Sequence, residues 1–126
     1  MSSDIHNKVI LLADDERSIV EMLFDMLQLT GYHCYTAYDG HAALEAFKAN
    51  QNKIDLVILD IFMPFMSGIE VYKEIYKINP DMKFLFISGY TDKKEIKQFL
   101  EKQNLPFINK PFNFNTLLTH IKEIFS

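Results

Sequence analysis

Ile54-Asp55-Leu56-Val57-Ile58-Leu59-Asp60, residues 54–60, is the stretch that decides the fold. Its four central side chains are uninterruptedly apolar, as a strand must be when both faces of its sheet are covered, and it stops on a carboxylate. Similar runs occur on either side, at 8–13 and 32–37 before it and at 82–88 and 106–109 after it. The gaps between runs carry helical spacing: Val20, Leu23, Phe24 and Leu27; Ala43, Ala46 and Phe47; Tyr72, Ile75 and Tyr76; Ile96, Phe99 and Leu100. A last such stretch, Phe114, Leu117, Leu118, Ile121 and Phe125, closes the chain. Gly31, Asp39-Gly40 and Asn79-Pro80 punctuate the boundaries. Strict alternation of strand and helix predicts an α/β fold with a parallel sheet between two helical layers.

The strands also rank themselves by burial. Residues 9–12, 56–59 and 84–87 are continuously apolar and belong in the centre. The second run mixes His33, Cys34, Tyr35 and Thr36, and the fifth opens on Pro106, which cannot donate to a ladder. With these two at the edges the order is 2-1-3-4-5, the doubly wound, flavodoxin-like (βα)5 arrangement, in which ligands bind outside the carboxyl ends of the strands.

The chain's 126 residues suit one domain, so a single domain spanning 1–126 with no output domain is expected. With 48% hydrophobic and 24% charged residues it has the composition of a soluble globular protein. A formal charge of −4 argues against a nucleic-acid or anionic-membrane binder. The first residues lack the pattern of a signal peptide, and no apolar run approaches the ~18 residues of a membrane span. A lone Cys34 cannot form an internal disulfide and reads as a small, partly buried side chain. A cytoplasmic location is expected.

Polar residues at strand ends should then converge. The first strand runs into Asp14-Asp15, the third into Asp60, the fourth into Ser88 and the fifth into Asn109-Lys110. Three carboxylates against one ammonium leave an excess of negative charge in a partly desolvated crevice, which favours uptake of a proton or a cation. A hard divalent ion such as Mg²⁺ suits oxygen ligands of this kind. A carboxylate beside a metal, an ammonium and a hydroxyl is equipped to accept a phosphoryl group.

These residues resemble those of a known family, the receiver domains of two-component response regulators. The resemblance rests on Asp14-Asp15, on Asp60-Ile61-Phe62-Met63-Pro64-Phe65-Met66-Ser67-Gly68, on Ser88-Gly89 and on Lys110-Pro111-Phe112. It implies that Asp60 accepts a phosphoryl group from a phosphohistidine. It implies that Asp15, Asp60 and the Phe62 backbone carbonyl hold Mg²⁺, with Asp14 acting partly through water. Ser88 and Lys110 would contact phosphoryl oxygens, Phe107 would be the switch aromatic, and the Lys110-Pro111 bond would be cis. The implied partners are a sensor histidine kinase or a histidine phosphotransfer protein. An effector or a second copy would bind the surface of the fourth helix, fifth strand and fifth helix. Bulky Phe62 and Tyr90, flanking the path of a hydrolytic water in this family, imply slow loss of the phosphoryl group.

Simpler roles exist for each residue taken alone. Asp14 or Asp15 could cap the first helix, and Asp60 and Ser88-Gly89 could form turns. Their coincidence at one sheet edge favours a site. His6, His33, His41 and His120 lack metal-ligand spacing. Lys93, Lys94, Lys97 and Lys102 alternate with Asp92, Glu95 and Glu101, as on a solvated helix face. Met63 should pack beneath the acceptor loop, whereas Phe65 is either a docking lip or a local packing residue. A Mg²⁺-dependent phosphohydrolase using aspartyl-phosphate chemistry would need a second Asp at position 62, where this chain has Phe62. A phosphorylation-independent pseudo-receiver is opposed by the intact set Asp14, Asp15, Asp60, Ser88 and Lys110.

Overall fold

Five parallel strands pair in the order β2-β1-β3-β4-β5. The computed structural model describes residues 8–89 and 94–126. Along the chain the elements are β1 (Val9–Ala13), α1 (Arg17–Thr30), β2 (His33–Ala37), α2 (Gly40–Asn50), β3 (Leu56–Asp60), α3 (Gly68–Ile78), β4 (Lys83–Ser88), α4 (Lys94–Lys102), β5 (Phe107–Asn109) and α5 (Phe114–Phe125). The flavodoxin-like order expected from the apolar runs is the observed one. Each strand starts one or two residues later than those runs. Asp55 shows why: its carboxylate accepts the Val9 N–H at 2.8 Å while its own N–H donates to the Val9 carbonyl, so it fastens β1 without extending β3. Pro106 lends only its carbonyl, to the Phe86 N–H.

Alternation along the strands builds two cores, one on each face of the sheet. Leu11, Ala13, Val57, Leu59, Phe84 and Phe86 pack against Phe47 of α2, Val71 and Ile75 of α3 and Leu100 of α4. Ile10, Leu12, Leu56, Ile58, Leu85 and Ile87 pack against Val20, Leu23 and Leu27 of α1 and Leu117 and Ile121 of α5. Every residue of β3 is buried, the terminal Asp60 included.

Local chemistry sets the helix ends. Asp39 caps α2 by accepting the Ala42 N–H, Ser67 and Glu70 form a reciprocal capping box on α3, and Asn113 caps α5. Gly31 ends α1 in the left-handed conformation at φ 112°. Gly68 has a different reason to be glycine: a Cβ there would collide with the Asp60 carbonyl oxygen. The start of α3 therefore presses against the end of β3. At Gly40, a Cβ would likewise collide with the Met66 carbonyl, so the loop at 61–67 is clamped between two helix starts.

Candidate phosphoacceptor site

The carboxyl edge of the sheet collects the residues that end the apolar strands. Asp14 follows β1 and is tied to β2 by its N–H to the Ala37 carbonyl. Asp60 ends β3 in register with Ile87, and Ser88 ends β4 in register with Asn109. The Lys110 N–H donates to the Ser88 carbonyl at 2.8 Å, so the turn carrying the lysine is anchored to β4. The Lys110-Pro111 peptide is cis, as the resemblance implies.

Carboxylate oxygens of Asp14, Asp15 and Asp60 all lie within 4.8 Å of one another. Asp14 is fully buried, Asp60 nearly so, and Asp15 faces solvent. Lys110 Nζ lies 3.1 Å from Asp14 Oδ2 and 3.5 Å from Asp60 Oδ2. Asp14 Oδ2 thus has an ion-pair neighbour, yet no aligned hydrogen bond reaches it. Asp14 Oδ1 accepts the Glu16 N–H at 3.0 Å, a turn at the head of α1. The cap position itself belongs to Glu16 rather than to Asp14 or Asp15.

Electrostatics follow from this crowding. Burial, then the nearby Asp14 charge, push the Asp60 carboxyl up to about 7, although Lys110 acts in the opposite sense. Asp15 is raised for the same two reasons, burial first. Burial disfavours the Lys110 ammonium, but the hydrogen bond to Glu16 and the charges of Asp60 and Asp14 outweigh it, and its pKa rises. A close set of hard oxygen donors, one poised between protonated and ionised, is chemically suited to Mg²⁺.

The other expected residues fall into place unevenly. Ser88 is fully buried at the end of β4. Phe107 is half-buried on β5, in register with Phe86 and packed against the α2–α3–α4 core. Met63 packs against that same core, as expected. Phe65 does not: it is 82% exposed, with left-handed backbone at φ 70°, and its ring lies 6.4 Å from that of His41. Phe62 is 52% exposed. Cys34 is half-buried, as expected, and burial pushes its thiol up to about 12, away from the thiolate form. Among the described histidines, His33 and His41 are exposed and His120 is half-buried. Lys94 and Lys102 are exposed and Lys97 is half-buried. His6, Tyr90, Asp92 and Lys93 lie outside the described residues.

Two features have no counterpart among the residues singled out from sequence. Glu16 reaches Lys110 with Oε1 2.9 Å from Nζ. Its only sequence signal is adjacency to Asp14-Asp15. An apolar cleft of about 360 Å³ opens beside the lysine, lined by Ile19, Met22 and Leu23 of α1 and by Pro111, Phe112 and Phe114. Its walls come from opposite ends of the chain, so no local pattern announces it.

Against known proteins the match extends over nearly the whole chain. The family model of the response regulator receiver domain matches residues 10–122. The chain belongs to this family: it is a receiver domain of the two-component response regulator type. Among its relatives, the sensor kinase CckA of Brucella abortus (strain 2308) is 33% identical over 115 residues, which are 91% of this chain but 12% of that protein. The response regulator receiver protein CpdR of the same organism is 30% identical over 117 residues, 93% of this chain and 96% of that one. The response regulator protein TrrA of Thermotoga maritima, solved in complex with Mg²⁺ and BeF, is 37% identical with a TM-score of 0.79, covering 93% of this chain and 98% of that one. Among the described residues no helix is long and apolar enough to cross a membrane.

Proposed function

We propose that this domain is the phosphoacceptor of a two-component or phosphorelay pathway, with Asp60 taking the phosphoryl group. The observation that carries the proposal is the convergence of Asp14, Asp15 and Asp60 within one 4.8 Å cluster beside Lys110. An ionised Asp60 oxygen attacks the phosphorus of a phosphohistidine. The phosphorus–nitrogen bond breaks, the imidazole leaves, and an acyl phosphate remains. Lys110 supplies a donor to one phosphoryl oxygen, and the Ser88 hydroxyl at the end of the neighbouring strand supplies another. Asp15, Asp60 and the Phe62 carbonyl would hold Mg²⁺, with Asp14 acting partly through water. When bound, Mg²⁺ supplies positive charge that offsets the carboxylates and orients the phosphoryl oxygens.

Docking of the donor is supported by the apolar cleft between α1 and the Pro111–Phe112 turn, which opens next to Lys110, and by the exposed rings of Phe62 and Phe65. A sensor histidine kinase or histidine phosphotransfer protein is the donor, acting in the cytoplasm. Once Asp60 is modified, Ser88 is drawn toward the new charge and Phe107 moves with it, changing the α4–β5–α5 surface read by an effector or a second copy. In this reading residues 1–126 are one receiver unit, and the bulky Phe62 and Tyr90 slow hydrolysis. The test is phosphotransfer from radiolabelled histidine kinases of the source organism. Label should reach the wild-type chain and not Asp60→Asn. Equal transfer to both rejects Asp60 as the acceptor.

A further inference from the structure

The Glu16 carbonyl accepts the first N–H groups of α1, but its side chain belongs to the pocket. Glu16 occupies the N-cap position of α1, yet its side chain caps no backbone group. The carboxylate instead crosses to Lys110, 94 positions along the chain, and accepts a hydrogen bond of 2.9 Å from Nζ. That contact is shorter than those to Asp14 (3.1 Å) and Asp60 (3.5 Å). It is an aligned hydrogen bond, whereas Asp14 Oδ2 receives none. Glu16 is 53% exposed and Asp14 is buried, so the ammonium bridges the solvent edge and the buried carboxylates, with Asp60 the farthest of its three partners.

We propose that Glu16 is a positioning residue that holds the Lys110 ammonium on the α1 side of the pocket and so leaves Asp14, Asp15 and Asp60 to a divalent cation. This inference rests on the reading of the pocket as a Mg²⁺-dependent phosphoacceptor. Lysine and metal compete for the same carboxylates, because each neutralises the same local charge. Without Glu16 the ammonium retains, among the described residues, Asp14 and Asp60 as ion-pair partners, settles between them and opposes Mg²⁺ directly. With Glu16 present, the ammonium stays within reach of the pocket without occupying its centre. Among the described residues, every ion pair to these pocket carboxylates comes from Lys110, so it is the cation through which Glu16 acts.

Calorimetric titration with Mg²⁺ of four chains tests this: wild type, Glu16→Gln, Lys110→Met and the double variant. Methionine keeps the aliphatic stem of the lysine, and glutamine keeps the shape of the exposed glutamate. Glu16→Gln should weaken Mg²⁺ binding by about three- to tenfold, the scale of one partly exposed ion pair. In the Lys110→Met background the same substitution should change affinity by less than about twofold, because the partner it positions is gone. An unchanged affinity in Glu16→Gln overturns the inference, as does an equal loss in both backgrounds, which would make Glu16 a through-space charge. Wild type without measurable Mg²⁺ binding overturns the reading of the pocket itself, an outcome distinct from either.

Discussion

Asp60 faces two demands at once: it must be buried enough to exclude water and ionised enough to attack. With its carboxyl pushed up to about 7 by burial and by Asp14, the metal-free pocket does not hold all its charges comfortably at neutral pH. Between the ordinary value of 3.8 and about 7 the folded chain keeps a proton that the unfolded chain has released. Stability therefore falls as pH rises through that window. Asp60→Asn removes the charge, so denaturant unfolding in a chelator at pH 8 should show the variant more stable by about 1–2 kcal/mol, with the difference shrinking toward pH 5. A variant less stable than wild type at pH 8 would mean that the Asp60 carboxylate is well compensated by Lys110. Mg²⁺ should reverse the ranking, because it binds the folded wild type and not Asp60→Asn as tightly.

At the scale of elements, the pocket depends on how closely α3 approaches β3. Gly68→Ala places a methyl group against the Asp60 carbonyl, and relief requires the head of α3 or the end of β3 to shift. The expected cost is about 1–3 kcal/mol in thermal or chemical unfolding, together with weaker Mg²⁺ binding. Unaltered stability would show that the loop at 61–67 yields freely. Strands and their order were legible because apolar runs, the mixed second run and Pro106 are local signals of burial and edge position. The acceptor residues were legible because each stands where an apolar run stops. Glu16 was not, since its partner lies 94 positions away and nothing local distinguishes it from any other acidic residue at a helix start. Phe65 stayed ambiguous because its exposure depends on a left-handed backbone conformation, which phenylalanine does not favour and sequence does not announce. The apolar cleft beside Lys110 is likewise a product of assembly, joining α1 to the Pro111–Phe112 turn.

For the whole molecule, two cores share one sheet, so the carboxyl edge is held by both, and a cation bound there should stabilise the entire fold. Stabilisation by a ligand specific to the folded state follows RT ln(1 + [L]/Kd), about 2.7 kcal/mol at a hundredfold excess over Kd. Thermal unfolding should therefore shift upward with Mg²⁺ as one cooperative transition, and the shift should vanish in a variant lacking Asp15 and Asp60 together. A shift that persists in that variant would place the cation elsewhere. The central claim, that Asp60 accepts a phosphoryl group with Mg²⁺, is tested most directly by intact-mass analysis after incubation with acetyl phosphate. Wild type should carry one base- and hydroxylamine-labile phosphoryl group per chain, formed with Mg²⁺ and absent with chelator or in Asp60→Asn. A phosphoryl group acquired equally by Asp60→Asn, or by wild type without Mg²⁺, would contradict it.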